Sequence, residues 1–291
     1  KRFIKRNHKN YDLIIMNGYS TFAEMIAIQY MIRHHIPYAL YVNGGVVHSD
    51  PKWRFRLKRK LISHAFRYYS PTNACDDYLL HYGARKEDIR YFPYATITED
   101  EITKTPLTSK EREKILEQHH LSSKEPIFIS VGQFIKRKNM EQLLTIFKDL
   151  PHLHLVLVGG GKEEKNYQLF IEQNHMQNVT ILPFLKRSEL FPLMRASSGF
   201  ILLSKEDIYG HVINEALAQG LGVIASDKIV AAHALITPTK NGYIVPLDDN
   251  QKIISAIQNL LNDDCFDYAT SVAKQNTYEV SSQIHIALWK E

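Results

Sequence analysis

Cysteine is almost missing from this chain. Cys75 and Cys265 are the only two in 291 residues, they lie far apart, and they match no metal or redox spacing. A disulfide scaffold is excluded, and a reduced cytosolic setting is the expectation. Long apolar runs are missing too: none reaches the roughly 18 residues that would span a bilayer. Acids are scarce at one end only. Residues 1–70 hold 13 Lys/Arg against 3 Asp/Glu, a balance of +10. The whole chain carries +5, so residues 71–291 carry −5. A basic first part and an acidic remainder predict two functional faces. The fourteen histidines do not cluster with carboxylates at metal-ligand spacing, and no Ser/His/Asp or Cys/His order stands out, so the expected metal ligands are none. No RNA-binding motif accompanies the basic part, so nucleic acid is not an expected partner.

What is present is alternation. "YDLIIMNG" (11–18), "PYALYVNGG" (37–45), "FRYYS" (66–70) and "DIRYFPYAT" (88–96) read as strands separated by helical patterns at 21–35, about 52–67 and 73–83. Residues 97–125 are polar, with a helix near 108–119, and read as the connection between two domains. A second alternation follows: strands at 126–134, 153–161, 179–184, 199–204, 222–227 and 242–246, with helices at 139–150, 163–175, 186–197, 210–220 and 249–263. Continuously apolar strands between helices predict parallel sheets covered on both faces, a doubly wound α/β architecture. In such sheets ligands sit beyond the C-terminal ends of the strands.

Three strand-end loops of the second alternation carry candidate chemistry. "EDIYGHVINEALAQG" (206–220) places Asp207 in a loop and Glu215 in the helix after it, with Gly210 between them to let backbone approach a ligand. Carboxylates accept hydrogen bonds from sugar and ribose hydroxyls. A helix N-terminus beside them suits phosphate. "VGQFIKRKN" (131–139) places Lys136, Arg137 and Lys138 just after a strand, where cations can neutralise a diphosphate. "VGGG" (158–161) is a glycine turn without the dinucleotide-fingerprint spacing. Each stretch alone has a plainer reading: a capped helix, a solvated basic loop, a tight turn.

Taken together, these segments resemble the family 4 glycosyltransferases of GT-B fold, which are retaining and use nucleotide sugars. The family's "ExFGxxxxEAmAxGxPVVas" corresponds to "DIYGHVINEALAQGLGVIAS" (207–226), and its "GRLxxxKG" to "GQFIKRKN" (132–139). The resemblance covers residues 126–263 well and 11–96 more loosely. There "SPTNACDDYLLHYGARKEDIRYFPY" looks like members that build capsular or exopolysaccharides. Three departures stand out. The first acid, Asp207, is one methylene shorter than Glu. "KIVAAHALI" (228–236) replaces a glycine-rich segment, and Asn43-Gly44 stands where many members have His-Gly. Gln133 replaces the loop arginine, and Arg137 beside Lys138 supplies a charge.

The resemblance implies two Rossmann-like domains facing across a cleft, with the N-terminal one truncated. The chain starts without Met on a basic run, and the family's N-terminal glycine-rich loop is expected before residue 1. Expected boundaries are 1–107 for the acceptor domain, 108–275 for the donor domain and 276–291 for a segment returning to the first domain. The implied activity is hexosyl transfer with retention. The donor is a nucleoside-diphosphate sugar, UDP first, and the acceptor a glycan or lipid-linked glycan, in bacterial surface polysaccharide synthesis. Asp207, Lys138 and Arg137 are the implied catalytic residues. Glu215, Gly132, Gln133, Gly210, His211, Asn43 and Gly44 are the implied donor contacts. No cofactor or metal is implied, because cations and helix dipoles serve the diphosphate. The alternative is a non-catalytic nucleotide-sugar-binding module or inactive fragment. A further expectation concerns "PKWRFRLKRKLISHAFRYY" (51–69). Its Leu57, Leu61, Ile62, Ala65 and Phe66 would face the sheet, and its basic residues with Trp53 and Phe55 would meet anionic lipid at the inner face of the cell membrane.

Overall fold

The computed structural model describes residues 2–45, 47 and 49–290. The chain divides into two units, each built on its own sheet. One comprises Lys1–Tyr94 with Val280–Glu291, the other Ala95–Glu279.

The first unit begins with α1 (Arg2–Asn7) and alternates β1 (Ile15–Asn17), α2 (Phe22–Arg33), β2 (Ala39–Tyr41), α3 (Lys52–Ile62), β3 (Arg67–Ser70), α4 (Asn73–His81) and β4 (Ile89–Tyr91). The strands form one parallel sheet in the order β1-β2-β3-β4. Local signals set the helix starts. The Thr21 hydroxyl accepts from Glu24 N (3.2 Å) while the Glu24 carboxylate accepts from Thr21 N (2.8 Å), a reciprocal cap that starts α2. Its Ala27, Ile28 and Met31 are buried at helical spacing.

Two expectations about α3 are corrected here. The helix stops at Ile62, so Ala65 is buried from the following turn and Phe66 is exposed. Phe55 is half-buried, with its ring beside those of His81 and Tyr82 (5.4 and 5.5 Å), which removes it from any lipid-facing surface. Trp53 remains 64% exposed.

The second unit runs α5 (Ser109–Glu117), β5 (Ile127–Gln133), α6 (Met140–Lys148), β6 (His154–Gly160), α7 (Glu164–Gln173), β7 (Val179–Leu182), α8 (Arg187–Ala196), β8 (Gly199–Leu202), α9 (Val212–Ala218), β9 (Val223–Ser226), α10 (Val230–Leu235), β10 (Gly242–Val245), α11 (Asn250–Leu260) and α12 (Phe266–Lys274). Its six parallel strands lie in the order β10-β9-β8-β5-β6-β7. That is the doubly wound order, whose direction reverses between β5 and β8. Residues Phe128, Ile129, Leu155, Leu157, Ile201 and Ile224 are fully buried, as expected of strands covered on both faces. Helix α6 packs on them through Met140, Leu143, Leu144 and Phe147, an i, i+3, i+4, i+7 stripe.

Residues 95–103 belong to the second unit, so the boundary precedes the expected 107. Thr103 N bonds Ala218 O (2.9 Å), Gln219 Nε2 bonds Glu101 O (2.9 Å), and Ile97 bridges Thr277. The last helix, α13 (Tyr278–Trp289), starts in the second unit and runs into the first. There Ser281 Oγ donates to Pro93 O (2.8 Å), and Leu288 packs with Ala39, Tyr69 and Phe92.

Candidate functional site

The reversal between β5 and β8 brings the loops that follow these strands together. After β5 the chain makes a 3-10 turn over Lys136–Lys138. Asn139 then takes the left-handed conformation (φ 58°) before α6, and its side-chain amide donates to Gln142 Oε1 (2.6 Å). Asparagine tolerates that conformation better than most residues. The turn is fastened to the loop after β8 at two points. Lys205 N donates to Arg137 O (2.8 Å), and Arg137 Nη1 donates to Glu206 O (2.6 Å).

The same fastening sets the charges. Lys138 Nζ donates to Asp207 Oδ2, and Arg137 Nη1 lies 3.9 Å from Asp207 Oδ1. Both Lys138 and Asp207 are largely shielded, with 13% and 14% of their side chains exposed. Asp207 is held from the other side by a bridge to Ile229. The segment 207–226 leaves β8, meets the cations of the β5 loop at Asp207, and turns back into α9.

Gly210 is required where it stands. Its φ is +96°, and a Cβ there would come 2.6 Å from Ile229 Cγ2. His211 follows, its ring beside that of Tyr209 (4.9 Å). Burial pushes the His211 imidazole below its ordinary value, against the pull of the Asp207 carboxylate, so the neutral ring is favoured. Gly132 is the second-last residue of β5, beside the Lys138 stem, and a Cβ there would sit 3.6 Å from Lys138 Cε. Gln133, the next residue, is exposed. The expected glycine turn at VGGG is corrected: Val158–Gly160 ends β6, paired with Val131–Gln133, and its glycines answer backbone crowding, since a Cβ on Gly159 (φ +149°) would lie 2.0 Å from Gly132 O.

Glu215 sits one turn into α9, with only 16% of its side chain exposed. Its Oε1 accepts from Arg187 Nη2 (2.9 Å). Arg187, the first residue of α8, also donates through Nη1 to the Glu101 carboxylate (3.0 and 3.1 Å) and through Nη2 to Thr96 O (2.6 Å). Burial raises the Glu215 carboxyl above its ordinary value. Arg187 pulls it back and Glu101 adds to the rise. Neither Arg187 nor Glu101 was among the residues expected from sequence. A basic residue at the start of the helix after β7 was the available signal, but nothing in the chain order pairs it with Glu215.

The expected helix dipole at residues 210–215 is weak. α9 has seven residues, so the positive charge in this place comes from Lys138 and Arg137. Asn43 and Gly44 lie in the first unit, after β2, where Asn43 Nδ2 donates to Asn17 Oδ1 (3.3 Å). No group of three or more His, Cys, Asp or Glu able to hold a metal occurs among the described residues. No helix among them is long and apolar enough to cross a membrane.

Comparison with known proteins gives a family and a fold. The family profile "Glycosyl transferases group 1" matches residues 111–279, more than half of the chain. The lipopolysaccharide core biosynthesis glycosyltransferase LpsE of Rhizobium meliloti is 27% identical over 139 residues, 47% of this chain and 40% of LpsE. The chain spans about half or less of the length of the curated relatives it matches first. Among solved structures, Anabaena HepE in complex with UDP superposes with a TM-score of 0.81 at 18% identity, covering 100% of this chain and 81% of HepE. Sucrose-phosphate synthase from Thermosynechococcus elongatus gives 0.79 at 19% identity, covering 99% and 75%. The structural likenesses establish the fold as GT-B, with two Rossmann-like domains.

Proposed function

The chain belongs to the glycosyl transferases group 1 family, and from that premise we propose that it transfers a hexose-type sugar from a nucleoside diphosphate, UDP first, to a glycan or lipid-linked glycan with retention. The observation that carries this reading is the meeting of Lys138, Arg137 and Asp207 at the β5/β8 reversal, with Glu215 eight residues further on. Two cations there neutralise a diphosphate, and the Asp207 and Glu215 carboxylates accept hydrogen bonds from donor hydroxyls. The solved HepE complexes contain UDP or UDP-glucose, which makes uracil the first base to test.

In the reaction, the bond between sugar C1 and the diphosphate oxygen breaks, and its electron pair goes to the diphosphate. Lys138 and Arg137 stabilise that charge where it develops. The acceptor hydroxyl oxygen bonds to C1 on the same face, and its proton passes to the departing phosphate oxygen. Asp207 contacts the sugar, and the donor takes over part of the pairing that Lys138 now gives Asp207. Glu215 holds the ribose hydroxyls. Gly132, Gln133, Gly210 and His211 complete the donor contacts of this unit, and Asn43 with Gly44 supplies those of the first unit. We place the enzyme in surface polysaccharide synthesis, in the cytoplasm at the inner face of the membrane. For the membrane, the exposed Lys52, Trp53, Arg54, Arg56, Arg59 and Lys60 of α3 form a basic rim for anionic head groups. Lys58 takes no part, because Asp50 (2.8 Å) and the Tyr82 ring (4.9 Å) hold it.

Calorimetry with UDP and uridine tests the donor assignment. Arg137→Ala/Lys138→Ala should cost UDP far more affinity than uridine, and Glu215→Ala should weaken UDP by roughly 1–3 kcal/mol. Asp207→Asn should cut transfer and leave UDP affinity nearly intact. Equal losses for UDP and uridine in the double variant would remove the diphosphate assignment. Product analysis with UDP-sugars separates transfer from the alternative of a non-catalytic binding module. For the membrane, cosedimentation with anionic vesicles at low salt should disappear in Lys52→Glu/Arg56→Glu/Lys60→Glu; no binding by the unmodified protein would point to a soluble acceptor.

A further inference from the structure

Arg187 is placed unusually for a surface arginine. It starts α8, yet its guanidinium reaches across to α9, where it bonds Glu215, and to the segment 96–101, where it bonds the Thr96 carbonyl and the Glu101 carboxylate. Its guanidinium lies over the Phe191 ring, 5.4 Å from the centroid, which limits the rotamers open to it. Arginine's planar fork suits such a three-way clamp, and lysine could serve only one partner well at a time.

The clamp acts on one oxygen of Glu215. Oε1 takes the Arg187 hydrogen bond, while Oε2 accepts no hydrogen bond among the described residues. The Glu215 side chain is mostly out of water, so an unpaired carboxylate there would be costly and would tend to pick up a proton. A protonated carboxyl keeps one acceptor oxygen but loses the charge that makes its bonds to hydroxyls strong.

We propose that Arg187 is a positioning residue for the donor. It keeps the buried Glu215 carboxylate ionised and fixed through Oε1, so that Oε2 is presented to the ribose hydroxyls. The inference rests on the assignment of Glu215 to the donor. Two charged groups act on Glu215: Arg187 from α8 and Glu101 from the 3-10 turn at Glu99–Glu101. Of the other elements packed on α9, α10 turns its His233 to the Asp227 carbonyl (2.9 Å), and the second residue after α12 meets Asn214 through the Asn276 carbonyl (2.8 Å). His211, one turn earlier on the same side of the chain, lies toward Asp207 and Lys138.

The two charged neighbours give opposite signs. Arg187 lowers the Glu215 pKa, and Glu101 raises it above what burial already does. Removing the arginine should move the titration up; removing the Glu101 charge should move it down. A purely structural clamp would not reverse sign between the two.

The test measures the Glu215 titration directly by carboxylate carbon NMR, its signal assigned by its disappearance in Glu215→Gln. UDP affinity is followed over the same pH range. In Arg187→Gln the titration should rise by about one pH unit, and UDP affinity should fall about tenfold at pH values below that midpoint, recovering above it. Glu101→Gln, which keeps the bond to Thr98 N available, should shift the midpoint down and leave affinity at neutral pH unchanged. Arg187→Lys should restore part of the loss and serves as the folded control if Arg187→Gln is unstable. An unmoved titration in Arg187→Gln overturns the inference, as does a midpoint that fails to fall in Glu101→Gln. A UDP loss that is equal at all pH values does so too. If Glu215→Gln leaves UDP affinity unchanged, the donor assignment of Glu215 fails instead, and the NMR shifts still report whether Arg187 sets the ionisation.

Discussion

In the first unit the strands are three or four residues long and the fully buried rings are Tyr38, Tyr68, Tyr69 and Tyr82. In the second, β5 and β6 run seven residues and the fully buried rings are Phe128, Phe134, Phe147 and Phe200. The difference decides how each core is held. A buried phenol must find a partner for its hydroxyl. Tyr38 donates to Leu61 O (2.9 Å), Tyr68 to Ile62 O (2.7 Å) and Tyr82 to Asp50 (2.6 Å), so all three bonds end on α3 or just before it. Burial pushes the Tyr68 phenol up to about 12, so it stays a donor at any physiological pH. The first core is thus pinned at directed points to its basic helix. The second is joined by dispersion and apolar burial around its two long central strands, β5 and β6, and its geometry depends on backbone closeness.

The largest expected effect breaks the second unit alone. Gly159→Ala puts a Cβ 2.0 Å from the Gly132 carbonyl, at a φ of +149° that side chains avoid. A loss of about 3 kcal/mol or more is expected, since backbone cannot step aside as a side chain can. Both tryptophans, Trp53 and Trp289, lie in the first unit, so their fluorescence follows that unit only. The circular-dichroism transition should move while the fluorescence transition stays. Transitions that move together would mean that the two units unfold as one.

A smaller effect tests the pinned core. Tyr38→Phe leaves the Leu61 carbonyl without its buried donor and should cost about 1–2 kcal/mol, this time in the fluorescence transition. No change would show that the phenol bonds are incidental and that the two cores are held alike.

The smallest effect concerns pH. His154 opens β6, its Nε2 is 2.8 Å from Thr180 Oγ1, and burial lowers its pKa below the ordinary 6.5, with Glu125 opposing. The folded state therefore binds fewer protons than the unfolded state. The associated stability is complete above 6.5 and is lost as pH falls through that value toward the folded pKa. His154→Gln should flatten this slope by less than about 1 kcal/mol in acid denaturation of the second unit. His211, in the same unit, is shifted in the same direction, so some slope should persist. An unchanged slope would place the acid sensitivity elsewhere.

Much of the second unit could be read from the chain because its signals are local. Continuous apolar runs mark strands, and the 140, 143, 144, 147 stripe marks a helix. Chain order with short connections fixes neighbours. Lys138 and Asp207 were legible as strand-end loop residues of one domain, but their direct pairing came only with the strand order, which sets β5 beside β8. Arg187 was not, because its partners Glu101 and Glu215 lie on elements whose packing no periodicity encodes. The end of α3 was misread for a related reason: Ala65 and Phe66 continue the helical spacing, but the chain turns at Ser63, and the spacing holds only within the helix. Phe55 looked like an interfacial aromatic in a basic run until its neighbours His81 and Tyr82, far along the chain, were in view.

The chain passes between the units twice, once after Tyr94 and again after Glu279. In the second unit both passages are moored at one spot, where Ile97 bridges Thr277, Tyr278 N donates to Ile97 O (2.8 Å) and Glu99 N donates to Glu279 (3.1 Å). A protease cut in one passage would therefore not release either half, because the other tether still joins them.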